Sequence, residues 1–194
     1  MLQHRAFGRP LDTLTVAIVD NRRPILSLMR AMLAAIGAGH IESFESPTEA
    51  LDAMAKSPPD LVIASAAMQP MSGTSLVKAM RRADAGSLTS VPAMIMSARA
   101  KPSLVEEALR AGAHQVLVLP TTASTLYRRL DWLIYDDRPF ELKGDRYVLA
   151  GLEERLSLSF QRPVYVPGGM PPMPRPAGRG VTAPRAKKAR VLPH

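Results

Sequence analysis

From Thr13 to Ile134 the chain repeats one pattern five times: a short apolar run rich in β-branched residues, then a longer segment whose apolar residues recur at helical spacing. The first run, TLTVAIVD over Thr13–Asp20, is almost continuously apolar. A strand of that kind is buried on both faces, as in a parallel sheet covered by helices. Behind it Ile25, Leu28, Met29, Met32, Leu33 and Ile36 fall on one helical face, and Gly37 supplies a stop. His40–Glu45 reads as the second strand. Ser46-Pro47-Thr48-Glu49 then places an N-cap serine, a proline at the first helical position and a glutamate at the third, ahead of a helix through Met54. The remaining strands are Asp60–Ser65, Ala93–Ser97 and Gln115–Leu119. The remaining helices are Thr74–Arg82, Pro102–Ala111 (stopped by Gly112) and Ala123–Ile134, the last facing inward through Leu126, Leu130, Leu133 and Ile134.

Right-handed crossovers place helices on both faces of a parallel sheet, so this pattern predicts an α/β three-layer sandwich with five strands in the order 2-1-3-4-5. In such sheets ligands gather at the carboxyl ends of the strands, near the switch point between strands 1 and 3. The side chains at that edge are Asp20, Asn21, Ser65, Ser97 and Leu119.

Outside the repeat the chain divides into an N-terminal arm over 1–12, an extension over 136–160 and a tail over 161–194, flanking a domain over 13–135. Tyr135–Tyr147 is charged and turn-rich, and Val148–Phe160 fits one short amphipathic helix around Leu149, Leu152 and Leu156. From Gln161 onward there are eight prolines and seven Lys or Arg residues with no Asp or Glu. Too little apolar material is left there to offset the entropy of ordering, so disorder is expected. The formal net charge of +8 is therefore a property of the tail, not of the domain. Arg185, Lys187, Lys188 and Arg190 are the residues that could meet nucleic-acid phosphates, without the interleaved aromatics that stack bases.

The absence of cysteine excludes a disulfide framework, a thiolate metal site and a cysteine nucleophile. No apolar run approaches the length of a membrane span, and Met1–Pro10 lacks the apolar stretch of a secretion signal. A cytoplasmic protein is expected.

Four local sequences carry a resemblance: AIVDN at Ala17–Asn21, DLVIASAAMQPMSG at Asp60–Gly73, MIMSA at Met94–Ala98 and ALRAGAHQVLVLP at Ala108–Pro120. Together they resemble the CheY-like receiver domain of bacterial response regulators, a flavodoxin-like (βα)5 fold, over about Thr13 to Ile134. The resemblance implies a phosphorylation pocket. In it an acidic pair after strand 1 and an aspartate after strand 3 hold magnesium, and that aspartate is also the nucleophile. A Ser or Thr after strand 4 and a lysine after strand 5 stabilise the phosphoryl oxygens.

Carried over residue by residue, Asp20 keeps the first acid, Asn21 stands at the second, and Ser65 stands at the nucleophile position. Ser97 keeps the hydroxyl, whereas Leu119 stands where the lysine belongs. Gln69 takes the usual place of the loop proline with Pro70 following, and Val116 takes the aromatic switch position. The expectation is a degenerate pocket lacking the phosphoacceptor aspartate, with Asp20 the one retained acidic ligand, weak or absent Mg2+ binding, and no catalytic residue or enzyme activity.

More ordinary roles are expected for several of these groups. Asp20 can bond backbone amides at the start of the first helix, where negative charge is favoured, and Ser65 and Ser97 can satisfy backbone groups. His40 and His114 read as surface or strand-edge histidines, Met29, Met32, Met94 and Met96 as core, and Met68 and Met71 as packing in the loop after strand 3. Arg138-Pro139-Phe140 resembles a segment that follows the receiver in some bacterial single-domain regulators. The partners implied are a histidine kinase, a phosphotransferase or another regulator, or a second copy through strand 4 and its flanking helices. A nucleic-acid-associated regulator acting through the tail is the alternative.

Overall fold

In the computed structural model residues 1–161 are described. The expected tail disorder and the phosphate contacts of Arg185, Lys187, Lys188 and Arg190 fall outside the described residues. Strands β1 (Thr15–Val19), β2 (His40–Phe44), β3 (Leu61–Ser65), β4 (Ala93–Ser97) and β5 (Gln115–Val118) form one parallel sheet in the order β2-β1-β3-β4-β5. They alternate with α1 (Arg23–Ala35), α2 (Pro47–Lys56), α3 (Gly73–Met80), α4 (Pro102–Arg110) and α5 (Ala123–Ile134). The predicted architecture and strand order are those observed.

Successive strand residues point to opposite faces, and each face carries its own apolar layer. Ala17, Val19, Val62, Ala64 and Ile95 pack against Met54 of α2, Leu76 and Met80 of α3 and Ala108 of α4. Val16, Ile18, Ile63, Met94 and Met96 pack against Met29 and Leu33 of α1 and Leu126, Leu130 and Leu133 of α5. All five residues of β3 are buried, which is why its sequence shows no polar alternation. Local signals start the helices: the hydroxyls of Ser46, Ser72 and Thr122 accept the amides of Glu49, Ser75 and Thr125 at 3.3, 3.1 and 3.2 Å.

The segments flanking the repeat are built into the same body. Arg9 donates to the Asp60 carboxylate, whose other oxygen accepts the Thr15 amide at 2.9 Å, so the arm is tied to the starts of β1 and β3. Leu2 and Phe140 exchange backbone hydrogen bonds of 2.9 and 2.7 Å. The stretch read as turn-rich contains an antiparallel hairpin, β6 (Phe140–Lys143) with β7 (Arg146–Leu149), closed by Gly144-Asp145. Gly144 adopts φ 65°, a left-handed value that a two-residue hairpin loop requires and glycine reaches without strain. The extension helix runs over Leu152–Gln161 (α6), so Leu149 ends a strand instead of opening the helix. α6 lies on α4, with Leu156 buried and Glu153 3.6 Å from Arg110. Among the described residues no helix is long and apolar enough to cross a membrane.

The arm, the hairpin and the sheet meet at a polar core that the sequence did not reveal. Arg81, at the end of α3, is fully buried, and its guanidinium donates to the carbonyls of Gly112 (3.1 Å), Leu88 (3.3 Å), Thr89 (3.3 Å) and Val91 (2.8 Å). Its Cζ lies 4.4 Å from the centre of the Phe140 ring. Burial pulls its pKa down to about 9, so it remains a cation at neutral pH. Gly112 (φ 93°) completes the nest, since a Cβ there would come within 2.8 Å of the Arg81 side chain.

His114, read as a surface or strand-edge histidine, stands just before edge strand β5 but is fully buried; its ring stands edge-on to Phe140 and His4, each at 5.5 Å between centroids. The arm and the hairpin close over it. His40 is exposed on edge strand β2, as expected.

His4 turns this core into a pH-dependent element. Its Nε2–H donates to the Asp136 carbonyl at 2.9 Å, and its buried Nδ1 has no hydrogen-bond partner among the described residues. Burial, first of all, lowers its pKa below 6.5. The unfolded state therefore binds the extra proton more readily, and folding stability must fall as pH drops below 6.5. Urea-denaturation midpoints should decrease from neutral to mildly acidic pH, and His4→Gln should flatten that dependence.

Candidate functional site

The carboxyl ends of β1 and β3 lie side by side at the switch point, and the two side chains that emerge there, Asp20 and Ser65, are both buried. Asp20 accepts the Arg22 amide at 2.9 Å, the helix-start role expected of it. The sequence reading missed a second partner. The Arg22 guanidinium grips the same carboxylate with two bonds, Nε to Oδ1 at 2.9 Å and Nη2 to Oδ2 at 2.7 Å. Arg22 Nη2 also lies 3.3 Å from the Ser65 hydroxyl, so the hydroxyl meets a guanidinium and not a backbone group. A bidentate pair of this kind is directional and strong. It holds the Arg22 pKa above its ordinary value, chiefly through the hydrogen bonds to Asp20. The only hint in the sequence was a cation two residues after Asp20.

The other candidates are near but differently employed. Asn21 is exposed and clamps two loops: its side-chain NH2 donates to the carbonyls of Glu45 (2.6 Å) and Gln69 (3.2 Å), and its Oδ1 accepts the Gln69 amide at 2.9 Å. Ser97 turns onto its own loop, donating to the Arg99 carbonyl at 3.0 Å and accepting the Arg99 amide at 3.2 Å. Leu119 is buried in the apolar layer shared with α1 and α5. Met68 is buried and Met71 half-buried in the opposite layer, as expected for that loop. Gly73 lets the loop return onto the end of β3, because a Cβ at that position would stand 2.4 Å from the Ser65 carbonyl oxygen.

The edge thus brings together Asp20, Arg22 and Ser65, holds Asn21 as a loop clamp, and leaves Ser97 and Leu119 turned to other neighbours. A family model, the response regulator receiver domain, matches residues 16–131, the span that contains this edge and all five strands but the first residue of β1. The chain belongs to that family. Chemotaxis protein CheY-3 of Vibrio cholerae is 28% identical over 116 residues, covering 60% of this chain and 88% of that protein. The solved structure of chemotaxis protein CheY4, also from Vibrio cholerae, shares 26% identity with a TM-score of 0.56, covering 62% of this chain and 98% of that one. The receiver domain of the sensor histidine kinase PA1611 from Pseudomonas aeruginosa, solved with a magnesium ion in its active-site cleft, has the same fold at 20% identity and a TM-score of 0.57; the match covers 62% of this chain and 97% of that one. This receiver is a module of two-component signalling, and its arm, hairpin and α6 lie outside the matched span.

Proposed function

We propose that this receiver works by protein contact and does not carry a phosphoryl group in its own pocket. The observation that carries the reading is the Asp20–Arg22 pair. A magnesium ion is held by several anionic oxygens, whereas here the one buried carboxylate at the switch point already faces a guanidinium with both oxygens. This donor set does not fit a divalent cation.

Ser65 lacks what a serine nucleophile needs, a base to take its proton. Its charged neighbour, Arg22, stays protonated and cannot accept one. Leu119 brings no charge to a phosphoryl group. Asn21, Ser65 and Leu119 thus account separately for the loss of metal binding, nucleophile and charge stabilisation, and on this reading the protein has no enzyme activity. Its partners are then signalling proteins such as a histidine kinase, a phosphotransferase or another regulator. A homodimer through β4 and its flanking helices would have to form around α6, which occupies part of α4.

The test is an amide spectrum of the full chain titrated with magnesium and beryllofluoride, a phosphoryl mimic. The signals of Asp20, Asn21, Ser65 and Ser97 should stay in place. Saturable shifts centred on those residues would overturn the reading.

A further inference from the structure

On the far side of the molecule from the Arg81 core's α3 and α4, helix α5 presents a stripe that neither the pocket nor the polar core uses. Tyr127, Asp131 and Tyr135 are spaced four apart and so share one face. Tyr127 and Tyr135 are 46% and 51% exposed, so both rings are open to a partner. With Arg9, Pro10 and Leu11 of the arm they line a shallow groove of about 200 Å³.

The groove has a definite charge. Arg9 is committed to Asp60 and to the Thr13 carbonyl (3.0 Å), and Arg128 reaches back toward Thr125 (3.5 Å). Asp131 is left as the groove's acidic group, between two tyrosines.

Tyrosines flanking an acid form the surface chemistry that takes a polyproline II segment followed by a cation, because the preformed helix stacks its prolines on the rings at little entropic loss. Pro171-Pro172-Met173-Pro174-Arg175-Pro176 has the prolines and the following cation in that order. We propose that this segment of the same chain docks in the α5–arm groove, with Pro171 and Pro174 against Tyr127 and Tyr135 and Arg175 paired with Asp131.

The dimensions agree. Along α5 the two tyrosines are about 12 Å apart at 1.5 Å per residue, and prolines three residues apart on one face of a polyproline helix are about 9 Å apart, a difference that side chains span. The reach agrees too. From Gln161, the end of α6, to Pro174 an extended chain covers about 43 Å, and a compact body of this size is roughly 40 Å across. Docking would make the groove self-occupied, so any external proline-rich partner would compete with the chain's own tail.

The absence of cysteine permits a direct test on the full-length chain: Met173→Cys carries a single nitroxide, and amide intensities are read with the label active and reduced. The amides of Tyr127, Asp131 and Tyr135 should lose most of their intensity while Asp52 in α2 keeps its own. Asp131→Lys, a surface change, should restore the lost intensity without altering the rest of the spectrum. A label at Thr182→Cys should affect the same amides far less. Uniform intensities, loss that survives Asp131→Lys, or equal loss from both labels would overturn the proposal. Mixing spin-labelled protein with isotope-labelled wild type separates the sources: loss appearing there would assign the groove to the tail of a second copy and refute docking within one chain.

Discussion

Arg81→Ala is expected to lower the unfolding free energy by about 4 kcal/mol or more, at the limit of what single substitutions do. The guanidinium satisfies carbonyls from three places at once: Leu88 and Thr89 in the turn after α3, Val91 before β4, and Gly112 after α4. Each buried carbonyl left without a donor costs about 1–3 kcal/mol; water entering the vacated space offsets part of that sum. The ring contact with Phe140 and the backbone bond from the Tyr147 amide to the Arg81 carbonyl, 2.7 Å, show how the hairpin depends on the same residue. Arg81→Lys should recover only a small part of the loss, because one ammonium cannot reproduce a planar fork reaching four carbonyls. Urea denaturation followed by far-ultraviolet circular dichroism measures both variants. A loss below about 1 kcal/mol would mean that the cage is not what holds these segments together.

Phe140→Ala should cost about 3–5 kcal/mol, the usual range for a buried phenylalanine. Its ring is fully buried, edge-on to His114 and under Arg81, while its backbone pairs with Leu2 of the arm. One residue therefore fastens both flanking segments to the amino end of the sheet. Leu142→Ala in the same strand removes a side chain that is 54% exposed, and its effect should stay within about 0.5 kcal/mol. A double-mutant cycle on Arg81 and Phe140 should show non-additivity, since the two groups are in contact. Equal effects of the two hairpin substitutions would contradict this account of the core.

What could be read from the sequence was what repeats. The near-continuous apolar strands and the caps at Ser46 and Pro47 are local, periodic signals, and they led to all five βα units and to the strand order. The hairpin had a local signal as well: Phe140, Leu142, Tyr147 and Leu149 around Gly144-Asp145. It was outweighed by the charged residues between them, Glu141, Lys143, Asp145 and Arg146. The Arg81 core had none. A cation at the end of an amphipathic helix reads as solvated, and only the arm and hairpin closing over it make it buried. His114 was misplaced for the same reason, because its cover comes from residues more than a hundred positions away in sequence, His4 of the arm, as well as from Phe140.

At the candidate site, Asp20, Asn21, Ser65, Ser97 and Leu119 could be placed at strand ends by pattern alone. Their partners could not. That Arg22 folds back onto Asp20 instead of extending into solvent depends on the turn between β1 and α1. That Ser97 bonds Arg99 depends on the loop after β4.

The central claim is that this receiver takes no phosphoryl group, and the intact mass of the full-length protein after incubation with a small-molecule phosphodonor and magnesium tests it most directly. The wild type should gain no phosphoryl mass. Ser65→Asp should gain none either, because Arg22 still occupies Asp20 while Asn21 and Leu119 still leave metal and charge unsupplied. A stoichiometric gain of phosphoryl mass by the wild type, whether acid-labile or acid-stable, would contradict the account outright.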